Sequence, residues 1–291
     1  MIDRKRVSVV VPNYNYGRYI TRRIDSVINQ TYPIYELIVL DDCSSDNSVK
    51  KIEKKLTEVR ERYPEIKVSF ARNEKNSGKA MSQWKKGFEL ATGDYIWIAE
   101  ADDLCSPLFL EEVMKGFDDS KVVLSYTESA IINSWGLMIA PSFRWSRDKE
   151  KTGRYKDNYI KDGKKEIGEI MAIRCTIPNV SAVVFKYDKK FLKYLERTLK
   201  FIQTGDWYFY AKVLENGKIA YNRKSLNKFR IHGKSKTSES KRDWGHYNEV
   251  CEMHRWFLRN FVISDEVKKW MKLEELRIKK VYGVENNEKS A

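Results

Sequence analysis

Short runs suited to β-strands recur about every thirty residues through the first hundred positions, at 7–11, 37–40, 67–71 and 95–99. Between them, apolar residues fall at helical spacing: Ile20, Ile24, Val27 and Ile28, then Val49, Ile52, Leu56 and Val59, then Ala80, Trp84, Phe88 and Ala91. A near-continuous apolar strand suits a position covered on both faces, and the i, i+3, i+4 pattern describes a helix with one buried stripe. Strands alternating with helices of this length form right-handed βαβ units on a parallel sheet. The expected fold is therefore α/β, with a mostly parallel central sheet and flanking helices.

In such sheets ligands gather beyond the carboxyl ends of the strands. Three polar clusters are expected there. The first is the loop Pro12-Asn13-Tyr14-Asn15-Tyr16-Gly17, and the second is Asp41-Asp42-Cys43-Ser44-Ser45-Asp46, which also offers a cap to the next helix. The third follows the strand at 95–99 and places Glu100, Asp102 and Asp103 within four residues. Unpaired carboxylates beside a buried strand repel one another and resist desolvation, so a positive partner is expected among them. A hard divalent cation is one candidate, and an acidic surface turn is the other reading.

Later in the chain, strands are expected at 122–126, 180–185 and 218–221, and helices at 191–199 and 205–215. Residues 142–165, rich in charge, Gly and Tyr, read as a long loop. From about Asp243 the pattern is helical. Tyr247, Val250, Trp256, Phe257 and Phe261 share one face, and Ser264 is placed to cap a last helix bearing Val267, Trp270, Met271 and Leu273. The polar tail after Gly283 is expected to be disordered.

The net charge of +14 is uneven: residues 1–110 hold 18 Lys+Arg against 16 Asp+Glu, leaving 37 against 25 for the rest. A basic second half favours an anionic partner, and no nucleic-acid module is recognisable. Trp244, Trp256 and Trp270, among Lys and Arg, fit either helices lying at a membrane interface or helices packed on one another or on a second copy. The four cysteines are widely scattered, as free thiols in a reducing cytoplasm would be. No apolar run approaches the roughly 20 residues of a membrane span, and the opening residues lack a signal-peptide core. A cytoplasmic location is expected, with peripheral contact at the inner face of the membrane left open.

Six motifs stand in order: Val9-Val10-Val11-Pro12-Asn13-Tyr14-Asn15, Ile38-Val39-Leu40-Asp41-Asp42-Cys43-Ser44-Ser45-Asp46, the run Asn73 to Ala80, Glu100-Ala101-Asp102-Asp103, Gly205-Asp206-Trp207 and Arg230-Ile231-His232. Through them the chain resembles the family 2 glycosyltransferases of the GT-A fold, over most of residues 6–235. The resemblance implies a catalytic domain at 1–235, with a nucleotide-binding half to about 110 and an acceptor half beyond it. A helical extension would occupy 236–291.

The same resemblance implies roles. Pro12, Tyr14 and Asn15 would hold the nucleotide base, and Asp41 or Asp42 would accept from a base imide or a ribose hydroxyl. Asn73, Gly78 and Lys79 would line the donor site. Asp102 and Asp103, with His232, would hold Mn2+ or Mg2+ against the diphosphate of a nucleotide-sugar donor, a UDP-sugar in the first instance. Asp206 would be the single catalytic base of an inverting transfer to a glycan or lipid-linked acceptor. Asn179, Ser181 and Trp207 are assigned to the acceptor side. Glu100 and Cys43 depart from the usual Asp and Gly, which leaves a catalytically inactive binding module as the rival reading. A sugar-phosphate nucleotidyltransferase is disfavoured because the loop at 12–17 has a single glycine.

Overall fold

The computed structural model describes residues 5–143, 153–233 and 244–281. Its first part is built as the periodicity demands: β1 (Val7–Asn13), α1 (Ile20–Ile28), β2 (Glu36–Asp41), α2 (Ser48–Arg62), β3 (Lys67–Arg72), α3 (Ala80–Leu90) and β4 (Tyr95–Ile98). Strands β3, β2, β1 and β4 lie side by side and parallel. β1 runs two residues further than expected, because Pro12 can occupy a strand where its missing N–H is not called upon.

Alternate residues of these strands feed two cores. Val10, Ile38, Ile96 and Ile98 point to one face, and Val9, Val11, Leu37, Val39 and Trp97 to the other. On the second face α1 lays down Ile20, Ile24 and Val27, all fully buried and each contributing about 1.5–3 kcal/mol by leaving water. On the first face α3 packs against β1 at Gly87, where a Cβ would meet Val10 Cγ1 at 2.5 Å. Val49 is only half-buried, and Ser48 takes the inward position beside Ile52.

After the short β5 (Leu104–Cys105) and α4 (Phe109–Met114) come β6 (Val122–Ile132) and β7 (Met138–Ala140), then β8 (Tyr159–Asp162) and α5 (Gly163–Glu166), which continues as a wider turn through Met171. Next are β9 (Val183–Lys186), α6 (Phe191–Thr198), α7 (Gly205–Leu214) and β10 (Lys218–Arg230). The sheet order is β3-β2-β1-β4-β9-β6-β10-β5. β9 joins the two halves by antiparallel pairing with β4 and β6, whereas β6 and β10 run parallel.

Several elements differ from the expected ones. β6 and β10 continue far past residues 126 and 221 as polar, partly bulged strands that pair with each other, so partner hydrogen bonding rather than apolar pattern sets their length. Residues 180–182 form a 3-10 turn before β9 begins. Part of the expected loop at 142–165 is β8, an edge strand on β10 that exposes Ile160 and Asp162. That segment is anchored by buried Tyr155 and by Arg154, which donates to Glu166 at 2.5 Å.

Two helices close the chain, α8 (Trp244–Asn260) and α9 (Asp265–Val281). The Ser264 hydroxyl accepts from Val267 N, as a cap should. Val250, Phe257, Val267 and Met271 are buried in the first core, and Trp256 and Trp270 pack against it, whereas Leu273 faces solvent. Trp256 lies against Tyr208, Phe257 and Phe261, so it serves packing. The tail after Gly283 lies outside the described residues.

Candidate active site

A cleft of about 620 Å3 opens where β1, β2 and β4 end. Pro12, Tyr14 and Asn15 line it from the first strand, Asp42 from the second, and Glu100, Asp102 and Asp103 from the fourth. Gly78 and Lys79, before α3, and Asp206, in the first turn of α7, complete the set brought together from sequence.

The loop after β1 is fixed by side-chain oxygens. Asn15 adopts the left-handed conformation, φ 57°, and its amide oxygen accepts the N–H groups of Ser45 and Asp46. Tyr14, beside it, is exposed on the rim. The two neighbouring aspartates have different surroundings. Asp41 is fully buried and accepts from Asn13 Nδ2 and from the N–H and hydroxyl of Ser44, at 2.6–2.9 Å. Asp42 faces the cleft and is braced by Asn73 Nδ2 at 2.7 Å and by the N–H and hydroxyl of Ser77. Of the two candidates, only Asp42 reaches the cleft wall. Asn73 stands behind it, donating to Asp42 and accepting from Lys86. Lys79 lines the cleft and donates its ammonium to the Leu199 carbonyl.

At the acidic end, Asp102 Oδ2 lies 2.9 Å from His232 Nε2. The imidazole is bracketed by Tyr16 and Tyr19, ring centroids 5.5 and 5.3 Å away. Arg230 ties the end of β10 to the acidic turn after β4. Its guanidinium donates to the Asp102 carbonyl at 2.6 Å, and its backbone N–H donates to Asp103 Oδ1 at 2.9 Å. Asn179 Nδ2 donates to the other Asp103 oxygen at 2.9 Å. Burial, and then the charge of Asp102, push the Asp103 carboxyl up to about 6. Arg23, fully buried in α1 and 5.1 Å from the Trp97 ring, opposes that rise with its charge. Glu100 is held by the Trp84 indole N–H at 2.8 Å, and its own N–H donates to Ser181 Oγ.

Asp206 is half-buried, and its Oδ1 accepts from Trp207 N at 2.7 Å. Desolvation pushes its carboxyl up to about 6, and the nearby Glu249 charge adds to the effect. Glu249, on α8, accepts the N–H groups of Ile202, Gln203 and Thr204 at 2.7–2.9 Å and so satisfies the chain entering α7. Asp206 and Pro178 also line a second cavity of about 200 Å3, roofed by the C-terminal helices. Trp207 lines that cavity and not the main cleft, while its indole donates to the Met171 carbonyl. Asn179 lines the main cleft, and Ser181 is buried behind Glu100.

Three buried amide oxygens at the cleft, on Asn13, Gln83 and Asn179, have no hydrogen-bond partner among the described residues. Buried acceptors of this kind call for donors such as hydroxyl or imide groups. As for a cation, no cluster of three or more His, Cys, Asp and Glu is preassembled among the described residues. Asp102, on the cleft wall, is nevertheless adjacent to His232. Mg2+-like ions commonly take one or two protein carboxylates and complete their shell with phosphate oxygens and water, so the Asp102 carboxylate fits such an ion. Arg23, Gln83 and Glu249 escaped the sequence reading. The last two sit at ordinary helical positions, and a buried Arg in a helix stripe carries no local signal.

Comparison with solved structures places the architecture. The Staphylococcus aureus TarS fragment 1–349 in complex with UDP-GlcNAc superposes with a TM-score of 0.67 at 17% identity, over 97% of this chain and 74% of that one. The mannosyltransferase PcManGT of Pyrobaculum calidifontis, in complex with GDP-Man and Mn2+, gives 0.64 at 16% identity, with 97% and 74% covered. The fold is that of the GT-A glycosyltransferases. The profile of Glycosyl transferase family 2 matches residues 8–170, more than half of the chain, and the protein belongs to that family.

Relatives by sequence agree. An uncharacterised glycosyltransferase of Nostoc sp. is 37% identical over 119 residues, 40% of this chain and 34% of that protein. The poly(ribitol-phosphate) beta-N-acetylglucosaminyltransferase TarP of Staphylococcus aureus is 35% identical over 111 residues, 38% and 32% respectively. The matched stretch thus spans about a third of these two proteins' length. An uncharacterised glycosyltransferase of Methanocaldococcus jannaschii aligns over 79% of this chain and 72% of its own, at 28% identity.

Proposed function

We propose that this protein is a metal-dependent inverting glycosyltransferase that moves a sugar from a nucleotide diphosphate donor, a UDP-sugar in the first instance, to an acceptor hydroxyl in cell-surface polysaccharide or glycoconjugate synthesis. One observation carries the reading: Asp102, in contact with His232, and Asp206, with its raised pKa, line a single cleft at the strand ends. Solved relatives of the same fold bind UDP-GlcNAc or GDP-Man, which supports a nucleotide-sugar donor.

The base and ribose would lie along Tyr14, Asn15 and Asp42. The orphaned oxygens of Asn13, Gln83 and Asn179 would accept donor hydroxyl or imide protons. Asp102 and His232 would hold the divalent cation, with Asp103 locked behind them; when bound, that ion supplies positive charge to the departing diphosphate. Asp206 would take the proton from the acceptor hydroxyl as its oxygen attacks the anomeric carbon opposite the diphosphate, which inverts that centre. A carboxyl near 6 is a better-matched base at neutral pH than one near 4. The smaller cavity sharing Asp206 and bearing Trp207 is the natural place for the acceptor.

The test is to incubate the protein with Mn2+ and a panel of nucleotide sugars and to measure released nucleoside diphosphate. Turnover with at least one donor, abolished by a chelator, is expected. No release with any donor, together with unchanged nucleotide affinity in Asp102→Ala, would overturn the proposal.

A further inference from the structure

The hairpin joining β6 to β7 carries four large apolar side chains in five residues, Trp135, Leu137, Met138 and Ile139, exposed by 73, 66, 62 and 58%. Ile231, whose N–H donates to the Ile132 carbonyl, extends the patch from the end of β10. Contiguous exposure of this kind is uncommon on a soluble protein and marks an interaction surface. The turn itself is held firmly. Asn133 Oδ1 accepts the N–H groups of Trp135 and Leu137, and Gly136 takes the left-handed conformation, φ 89°, that closes it.

Cations collar the tip. The Arg18 guanidinium lies 4.3 Å from the Trp135 ring centroid, and Arg22 is exposed one helical turn further along. An aromatic at the boundary between apolar side chains and arginines suits the headgroup level of a bilayer, where the ring is amphipathic and the arginines meet lipid phosphates. A tip of five residues is too small for a stable protein interface, which buries about 800 Å2 per partner. We infer that the β6–β7 hairpin docks the protein on an anionic membrane surface, with Trp135 and its neighbours entering the headgroup region and Arg18 and Arg22 pairing with lipid phosphates.

The position of the hairpin gives this docking a direction. Arg230 donates from Nη1 to the Asn133 carbonyl and from Nε to the Asp102 carbonyl, so one guanidinium spans the hairpin and the acidic end of the cleft. Docking would bring the cleft mouth to the lipid surface, where a lipid-linked acceptor would be met. That last step rests on the proposed sugar transfer; the docking does not.

The experiment is co-sedimentation of the full chain with vesicles of phosphatidylcholine and phosphatidylglycerol at about 3:1, and with phosphatidylcholine alone, without donor or acceptor. The expected result is binding to the anionic vesicles, weakened about tenfold or more in Trp135→Ser/Leu137→Ser and weakened in Arg18→Glu. Ile202→Ser, at an equally exposed isoleucine remote in sequence, should bind as the parent does. Absence of binding by the parent chain, or equal binding by the hairpin variant, would overturn the inference. So would a dimer of the parent chain in light scattering that the hairpin variant dissolves, since the patch would then be covered by a second copy. Circular dichroism of each variant confirms that a loss of binding is not a loss of fold.

Discussion

The Trp84 indole donates to Glu100 Oε1 at 2.8 Å, linking α3 to the acidic turn after β4. This contact gives the glutamate, where the family usually has aspartate, a physical reason: its extra methylene carries the carboxylate back to a ring on the neighbouring helix. Trp84 is nearly fully buried, so an indole N–H without that acceptor would be left unsatisfied. Glu100→Asp should lower stability by about 1–2 kcal/mol in denaturant unfolding. Glu100→Gln keeps an acceptor oxygen at the same reach and should lose less. Equal stability of Glu100→Asp and the parent chain would mean the indole bond contributes nothing.

Asp102 and Asp103 are adjacent in sequence but should behave oppositely. Both line the cleft, but Asp103 is buried, with its oxygens taken by Asn179 and the Arg230 N–H, whereas Asp102 is only half-buried. Asp103→Ala is expected to cost about 2–3 kcal/mol of stability, because two buried donors lose a charged acceptor. Asp102→Ala should unfold close to the parent midpoint and yet lose transfer by two orders of magnitude or more. Thermal melts beside donor turnover separate the two.

Asp206 carries a pH signature. Its folded pKa of about 6 lies above the ordinary 3.8, so the folded protein binds this proton more tightly than the unfolded chain. Ionisation is therefore unfavourable to the fold above pH 6, and that penalty fades as pH falls through 6 towards 4. Asp206→Asn should raise Tm at pH 8 relative to the parent and leave it little changed near pH 4. The base must be ionised to act, so parent activity should fall as pH drops below about 6. Transfer by Asp206→Asn should be down at least about a hundredfold with donor binding retained. A parent rate unchanged from pH 7 to pH 5 would contradict the assignment.

Cys43 occupies the left-handed region, φ 65°, where the family usually places glycine. A Cβ there is strained, and the thiol returns only a contact with the Glu74 carbonyl at 3.3 Å. Cys43→Gly should be more stable by about 0.5–1 kcal/mol, the strain relief being partly offset by the freer unfolded chain. Chemical denaturation decides this: a destabilised Cys43→Gly would mean that the thiol contact outweighs the strain.

The first hundred residues were legible because each element there carries its own apolar period and the strands need no distant partner to define their ends. The candidate cleft was legible where a strand end and a short polar motif coincide, as at Asp42 and Asp102, and Asp206 joins them from the first turn of a helix. Legibility failed where pairing replaces pattern. The polar stretch Arg223 to Lys228 is strand because β6 and β5 lie beside it, and nothing local says so. It failed too where neighbours divide a role between them: Asp41 and Asp42 look equivalent in sequence, and only Ser44, Asn13 and Ser77 decide which one faces the cleft. Trp207, adjacent to Asp206, turns to the other cavity because successive helical positions point about 100° apart.

Glu249 reaches from α8 to receive three N–H groups at the entrance of α7, the helix that presents Asp206. A truncation at residue 235, the boundary a sequence reader would choose for a minimal catalytic fragment, removes this acceptor and the hydrophobic roof above Trp207. Anyone trimming the gene for crystallography or for a fusion would thus be loosening the turn that leads into Asp206, by removing a residue 43 positions further along the chain that is hydrogen-bonded to that turn.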